Sequence, residues 1–89
     1  MTNLVETPIV HLAEQQCFIV AAQGLQARLE YHYITQAERP SVNFTHTFVP
    51  VEWRGQGIAE RLVRHGLAWA KAEQLGCMAS CSYVAKFLR

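Results

Sequence analysis

Val49-Pro50-Val51-Glu52-Trp53-Arg54-Gly55-Gln56-Gly57-Ile58-Ala59 is where the chain changes its periodicity. Upstream, residues 42–49 alternate as a strand does. Val42, Phe44, His46 and Phe48 share one face, and Asn43, Thr45, Thr47 and Val49 share the other. Pro50 has no N–H to give to a ladder, so the strand ends there. Downstream, Ile58, Ala59, Leu62, Val63, Gly66, Leu67 and Ala70 recur at helical spacing, with Glu60, Arg61, Arg64, His65 and Lys71 on the opposite side. This spacing predicts one long amphipathic helix over residues 57–75, with Gly76 as its C-terminal stop.

Outward from that junction, two apolar runs at residues 9–13 and 17–22 read as strands. Gln23-Gly24 is a tight turn. Leu25, Ala27, Leu29, Tyr31 and Tyr33 then alternate with polar residues, the period of a strand with one wet face. Residues 35–41, with Pro40, read as a loop. Beyond the helix, residues 77–80 predict a short buried strand and residues 82–89 a second, short helix. Strands first, then a helix, a strand and a helical tail describe an α+β plan with a mainly antiparallel sheet. A length of 89 residues leads us to expect one domain over residues 1–89.

Composition narrows the function classes. Apolar residues at 51% against 17% charged indicate a folded chain rather than a disordered one. A net charge of +1, with basic residues scattered, lacks the positive patch that nucleic acid demands. Cys17, Cys77 and Cys81 are odd in number, which argues against a disulfide framework. The first residues lack a basic segment leading into an apolar one, and no apolar run reaches bilayer length. The expectation is a reduced, cytoplasmic protein with no nucleic-acid or membrane partner. Cys77 and Cys81 have no further ligands at suitable spacing, so no metal site is expected.

The junction carries chemistry of its own. The first turn of a helix offers unpaired N–H groups at the positive end of its dipole. Gly55 and Gly57 let backbone approach a phosphate closely, and Arg54 adds a cation. The combination suits a pyrophosphate. There is no Gly-Lys-Ser/Thr as in a P-loop, nor the three glycines of a dinucleotide fingerprint. Two glycines alone are equally compatible with an ordinary strand-to-helix turn.

Arg54-Gly55-Gln56-Gly57-Ile58-Ala59 resembles the Arg/Gln-x-x-Gly-x-Gly/Ala signature of GNAT N-acetyltransferases. Thr45-His46-Thr47-Phe48-Val49-Pro50 before it and Cys81-Ser82-Tyr83-Val84 after it sharpen the match to the small single-domain GNAT-like family, over residues 11–89. The resemblance implies a minimal GNAT-like fold: a twisted, mostly antiparallel sheet packed on one long helix, plus a short C-terminal helix. It implies transfer of an acetyl group from acetyl-CoA to a primary amine, borne by a small molecule or a protein. The strand ending at Phe48 and Val49 would splay from its neighbour and pair with the pantetheine arm of coenzyme A. The amides of Arg54, Gly55, Gln56, Gly57, Ile58 and Ala59 would hold the pyrophosphate. The N–H of Val49 would polarise the thioester carbonyl.

Three side chains are catalytic candidates on the same grounds. Tyr83 would protonate the leaving thiolate, or is packing with a wet hydroxyl. Cys81 is a nucleophile, a proton donor or a wall of the acetyl pocket. His46 would take the proton from the ammonium substrate, or fixes its strand by a hydrogen bond. Some relatives carry an acidic residue where this chain has Phe48, and Glu52 is only a remote substitute. Ala79 stands where relatives often have proline, and the chain stops at Arg89 soon after the last helix. An open coenzyme groove, completed by a partner or a homodimer, is the expectation. A non-catalytic acyl-CoA-binding module and a protein-interaction domain are the rivals.

Overall fold

The computed structural model describes residues 7–35 and 38–88. Five strands form one sheet in the order β1 (Val10–Leu12), β2 (Cys17–Ala22), β3 (Leu25–Ile34), β4 (Ser41–Phe48) and β5 (Gly76–Ala79). Neighbours are antiparallel except β4 and β5, which run parallel. That parallel pair needs a crossover, and helix α1 (Ile58–Ala72) supplies it. A short helix α2 (Ser82–Ala85) and a 3-10 turn, Lys86–Leu88, follow β5. This is the minimal GNAT-like α+β fold expected from the sequence.

The hairpin between β2 and β3 turns through Gln23 and Gly24, both at positive φ (56° and 75°). Two such residues match the right-handed twist of the strands they join. The predicted strand at residues 9–13 is shorter, because Ala13–Gln15 coil into a 3-10 turn. The predicted helix is also shorter at both ends. Gly57 is its N-cap, in the left-handed region, and Glu73 is its C-cap. The stop is Gln74 rather than Gly76. Gln74 adopts φ 59°, its N–H donates to Lys71 O, and the Leu75 N–H reaches back to Ala70 O. These are the paired bonds of a Schellman cap. Gly76 instead opens β5, where a side chain would strike Ser41 Oγ at 2.6 Å. That strand is half-buried at the sheet edge, with Met78 exposed, rather than buried as its apolar residues suggest.

One core lies between α1 and one face of the sheet. Phe18, Val20, Ala27, Leu29, Tyr31, Val42 and Phe44 meet Ile58, Leu62, Val63 and Ala70, with Trp53 and Val84 closing the end. The alternation along β4 breaks midway. Tyr31 pairs with Phe44 but Glu30 with His46, so Thr45 is an extra residue, a β-bulge. Val42 and Phe44 face the helix before it. After it Thr47 does so, opposite buried Leu29. His46 and Phe48, opposite Glu30 and Arg28, fall on the helix-free face. The single face shared by Val42, Phe44, His46 and Phe48 in the sequence reading is therefore corrected. One inserted residue reverses a period of two.

His11 ties β1 to this core. Its ring stacks on Phe18 at 4.1 Å, and its Nε2 lies 2.6 Å from the Tyr31 hydroxyl. Trp69 of α1 meets it edge-on at 4.9 Å. Burial pushes the Tyr31 phenol up to about 12, helped by neighbouring Tyr33, so Tyr31 keeps its proton. Burial first, and then nearby His65, lower the His11 pKa from its usual 6.5. The unfolded chain therefore binds this proton more readily than the fold does. The stability held by neutral His11 is fully present above the unfolded pKa of 6.5 and is lost as pH falls through the lower folded value. Acidification from about pH 7.5 to about pH 5 is expected to lower Tm more in the parent chain than in His11→Phe. Equal losses in a pair of melting curves would refute this.

Candidate functional site

Past Pro50 the chain makes a 3-10 turn, Val51–Trp53, in which Trp53 N–H donates to Pro50 O at 2.9 Å. Residues 54–57 then swing into α1, with Gly55 and Gly57 at φ 84° and 77°. An L side chain is strained at either angle, which is the physical reason for glycine at both. Gly57 gives the helix no side-chain cap. The amides of the first turn are thus left for a ligand or water. A cavity of about 180 Å³ opens against them, walled by Val49, Trp53, Arg54, Gly55, Gly57 and Ile58, with Ala59, Glu60 and Tyr83 completing it.

Charge around the cavity is mixed. Arg54 is exposed and folds back, its Nε donating to Val49 O at 3.4 Å. Glu60, in the first turn, is held by Arg64 at 3.4 Å, an exposed pair worth little in energy. Burial raises the Tyr83 pKa from 10.0, Glu60 adds to the rise, and Arg64 opposes it. Tyr83 is therefore a protonated donor at neutral pH.

The second part of the site is a gap in the sheet. β4 and β5 pair only from Ser41↔Gly76 to Phe44↔Ala79, and Cys81 N–H still reaches Phe44 O at 3.2 Å. β4 continues to Phe48 without that neighbour. Tyr31 N–H donates to Gln16 O, so Glu30 turns its backbone toward β4 and His46. Alternation then leaves the N–H and C=O of Thr47 pointing away from β3, into the gap. Asn43 holds the near end of the gap closed: Ser80 N–H donates to its Oδ1 at 2.9 Å, and its Nδ2 donates to Ser80 Oγ at 3.3 Å.

Cys81 sits at the apex as the N-cap of α2, half-buried, with its Sγ 3.6 Å from Thr47 Oγ1. Burial alone would push its thiol up. The backbone amide of Val84, the Thr47 hydroxyl and the amides of Tyr83 and Thr47 outweigh it, and the pKa lies below the usual 9.0. Cys77 shows the contrast. Burial raises its pKa, only partly opposed by Arg39. Cys17 is fully buried under Arg28.

The cavity thus gathers Val49, Arg54, Gly55, Gly57, Ile58, Ala59 and Tyr83, and Cys81 lies beside the gap with Thr47. Gln56 is exposed in the loop and does not line the cavity. Phe48, 43% exposed, and His46 point to the helix-free face and do not line it either. Sequence reasoning missed Thr47, Asn43 and Glu30. The bulge that turns Thr47 inward and sets His46 opposite Glu30 leaves no mark on composition. Among the described residues, no three His, Cys, Asp or Glu side chains come together as a metal site.

A family model described as GCN5-related N-acetyl-transferase matches residues 17–89 of the chain. The chain is similar to Protein NATD1 of Bos taurus, with 31% identity over 83 residues, 91% of this chain and 71% of the relative. It is 30% identical to Protein NATD1 of Mus musculus and of Homo sapiens, again over 91% of this chain and over 73% and 71% of those proteins.

Proposed function

The chain belongs to the GCN5-related N-acetyltransferase family, and from that premise we propose that it moves an acetyl group from acetyl-CoA to a primary amine. The observation that carries this reading is the uncapped start of α1 opening on a cavity beside the gap between β4 and α2. The residues fit the coenzyme. First-turn amides and the helix dipole favour a diphosphate. About 180 Å³ suits that charged end rather than a whole coenzyme, which leaves the pantetheine arm to the open edge of β4.

Bound acetyl-CoA supplies an activated thioester. The chain has to hold it, stabilise charge on the carbonyl oxygen and manage two protons. The backbone N–H of Val49, at the end of β4, is the donor for the acyl carbonyl, while the N–H of Thr47 already faces the Cys81 sulfur. Tyr83, whose raised pKa keeps its proton on, is the acid for the departing thiolate. His46, set opposite Glu30 on the helix-free face, is the group to take the amine proton. Glu30 there provides the carboxylate that Phe48 does not. It is shared with Arg28, whose Nε lies 3.1 Å away without hydrogen-bond geometry.

Acetyl-CoA at about 100 times its Kd is expected to stabilise the fold by about 2.7 kcal/mol, read as a rise in Tm. Free thiol should appear when a panel of amines, polyamines and peptides is added. A well-folded sample that neither melts later nor binds by calorimetry would end the proposal. Phe48 in place of an acid favours the second reading, a module that binds acyl-CoA without turnover. That reading predicts the rise in Tm with no thiol released for any amine.

Cys81→Ala is expected to leave coenzyme affinity within about twofold, because the residue lies outside the diphosphate cavity. Turnover should fall at least about tenfold if the thiol manages a proton. Unchanged turnover in a steady-state assay would reduce Cys81 to a wall of the acetyl pocket.

A further inference from the structure

Trp53 holds a donor that is unpaired among the described residues. The residue is 2% exposed, and its indole Nε1 has no hydrogen-bond partner there. An indole N–H can only donate. Leaving such a group dry and unpaired costs about 1–3 kcal/mol. The apolar packing of the ring makes no use of that donor. The backbone of the turn does not depend on the indole either, because the main-chain N–H of Trp53 already reaches Pro50 O.

Trp53 is also a wall of the cavity at the start of α1. The loop beside it carries Gly55 and Gly57, and nothing lies within 4 Å of where a Cβ would stand on either. The space beside that backbone is open to a ligand. Two independent features, an orphan donor and a ligand-sized opening, therefore meet at one residue.

We propose that the Trp53 indole N–H is a binding donor for acyl-coenzyme A, received by an acceptor oxygen on the coenzyme's diphosphate–pantetheine arm. The inference rests on the coenzyme-binding reading of this cavity and adds a residue to it. The bond is absent in the free protein and forms only with the ligand, so its full worth goes into affinity. The free fold bears the penalty.

Trp53→Phe keeps an aromatic ring and removes the donor. The free variant is expected to fold, with the packing lost by the smaller ring set against the relieved donor, while its Kd for coenzyme A by calorimetry rises about five- to tenfold. In the parent chain labelled with 15N, the Trp53 indole resonance should move downfield and exchange more slowly with water on saturation with coenzyme A. Trp69, packed among His11, Phe18 and Tyr31, is the internal control and should stay in place. A folded Trp53→Phe that binds within twofold of the parent overturns the inference alone. So does a Trp53 indole signal that ignores the ligand, a result that needs no variant to fold. A parent chain that binds no coenzyme A overturns the inference and the coenzyme reading together.

Discussion

A Gly57→Glu chain is expected to fold and to lose coenzyme A binding by about 100-fold or more. Gly57 is the N-cap of α1, at φ 77°, with open space where a side chain would go. A side chain there is strained by about 1–2 kcal/mol, which a folded domain can survive. The carboxylate would stand among the amides proposed to hold the diphosphate. Like charges about 4 Å apart repel by about 4 kcal/mol at an effective dielectric constant near 20, and exposure of the loop reduces this. Gly57→Gln carries the same strain and nearly the same bulk without the charge. Calorimetry on the pair separates the effects: the glutamine variant should bind well above the glutamate one. Equal binding by both folded variants and the parent would remove the diphosphate from this cavity.

Gly66→Leu should instead break the fold. Gly66 is buried in the middle of α1, where it crosses the sheet. A Cβ at this position would stand 2.8 Å from Leu29 Cδ2, 3.1 Å from Phe44 Cε1 and 3.6 Å from Phe18 Cε2. All three neighbours are fully buried, so none can swing into water. Gly66→Ala already forces Leu29 to shift, and alanine's helix propensity returns about 1 kcal/mol against that cost, so that variant should lose far less than the leucine one. Leucine adds three more carbons at the tightest point between helix and sheet. Overpacking of this kind costs about 3 kcal/mol or more, a fall in Tm of roughly 12–24 °C for a domain of this size. A leucine variant melting within about 3 °C of the parent would show that α1 can lift off the sheet freely.

β3 and α1 are legible because each repeats its apolar residues at a fixed interval to bury one face. β2 shows as a run of β-formers, and the turn after it by its glycine. Ends are less legible. Gly76 looks like the natural stop of α1, yet Gln74 takes the left-handed position and Gly76 is spent on a close approach to Ser41. The site divides the same way. Arg54 to Ala59 is readable because glycine and a helix start have a local cause. The placement of His46, Phe48 and Thr47 is not, because it depends on pairing with β3. The empty hand of Trp53 is likewise invisible until its surroundings are known.

Thr45 has a consequence for how chains of this kind are compared. The two halves of β4 are out of phase, so a regular strand aligned to the first half is displaced by one residue along the second. A one-residue gap at this point between homologues is then genuine geometry. Closing it to tidy an alignment would equate inward with outward side chains beside the proposed acyl groove.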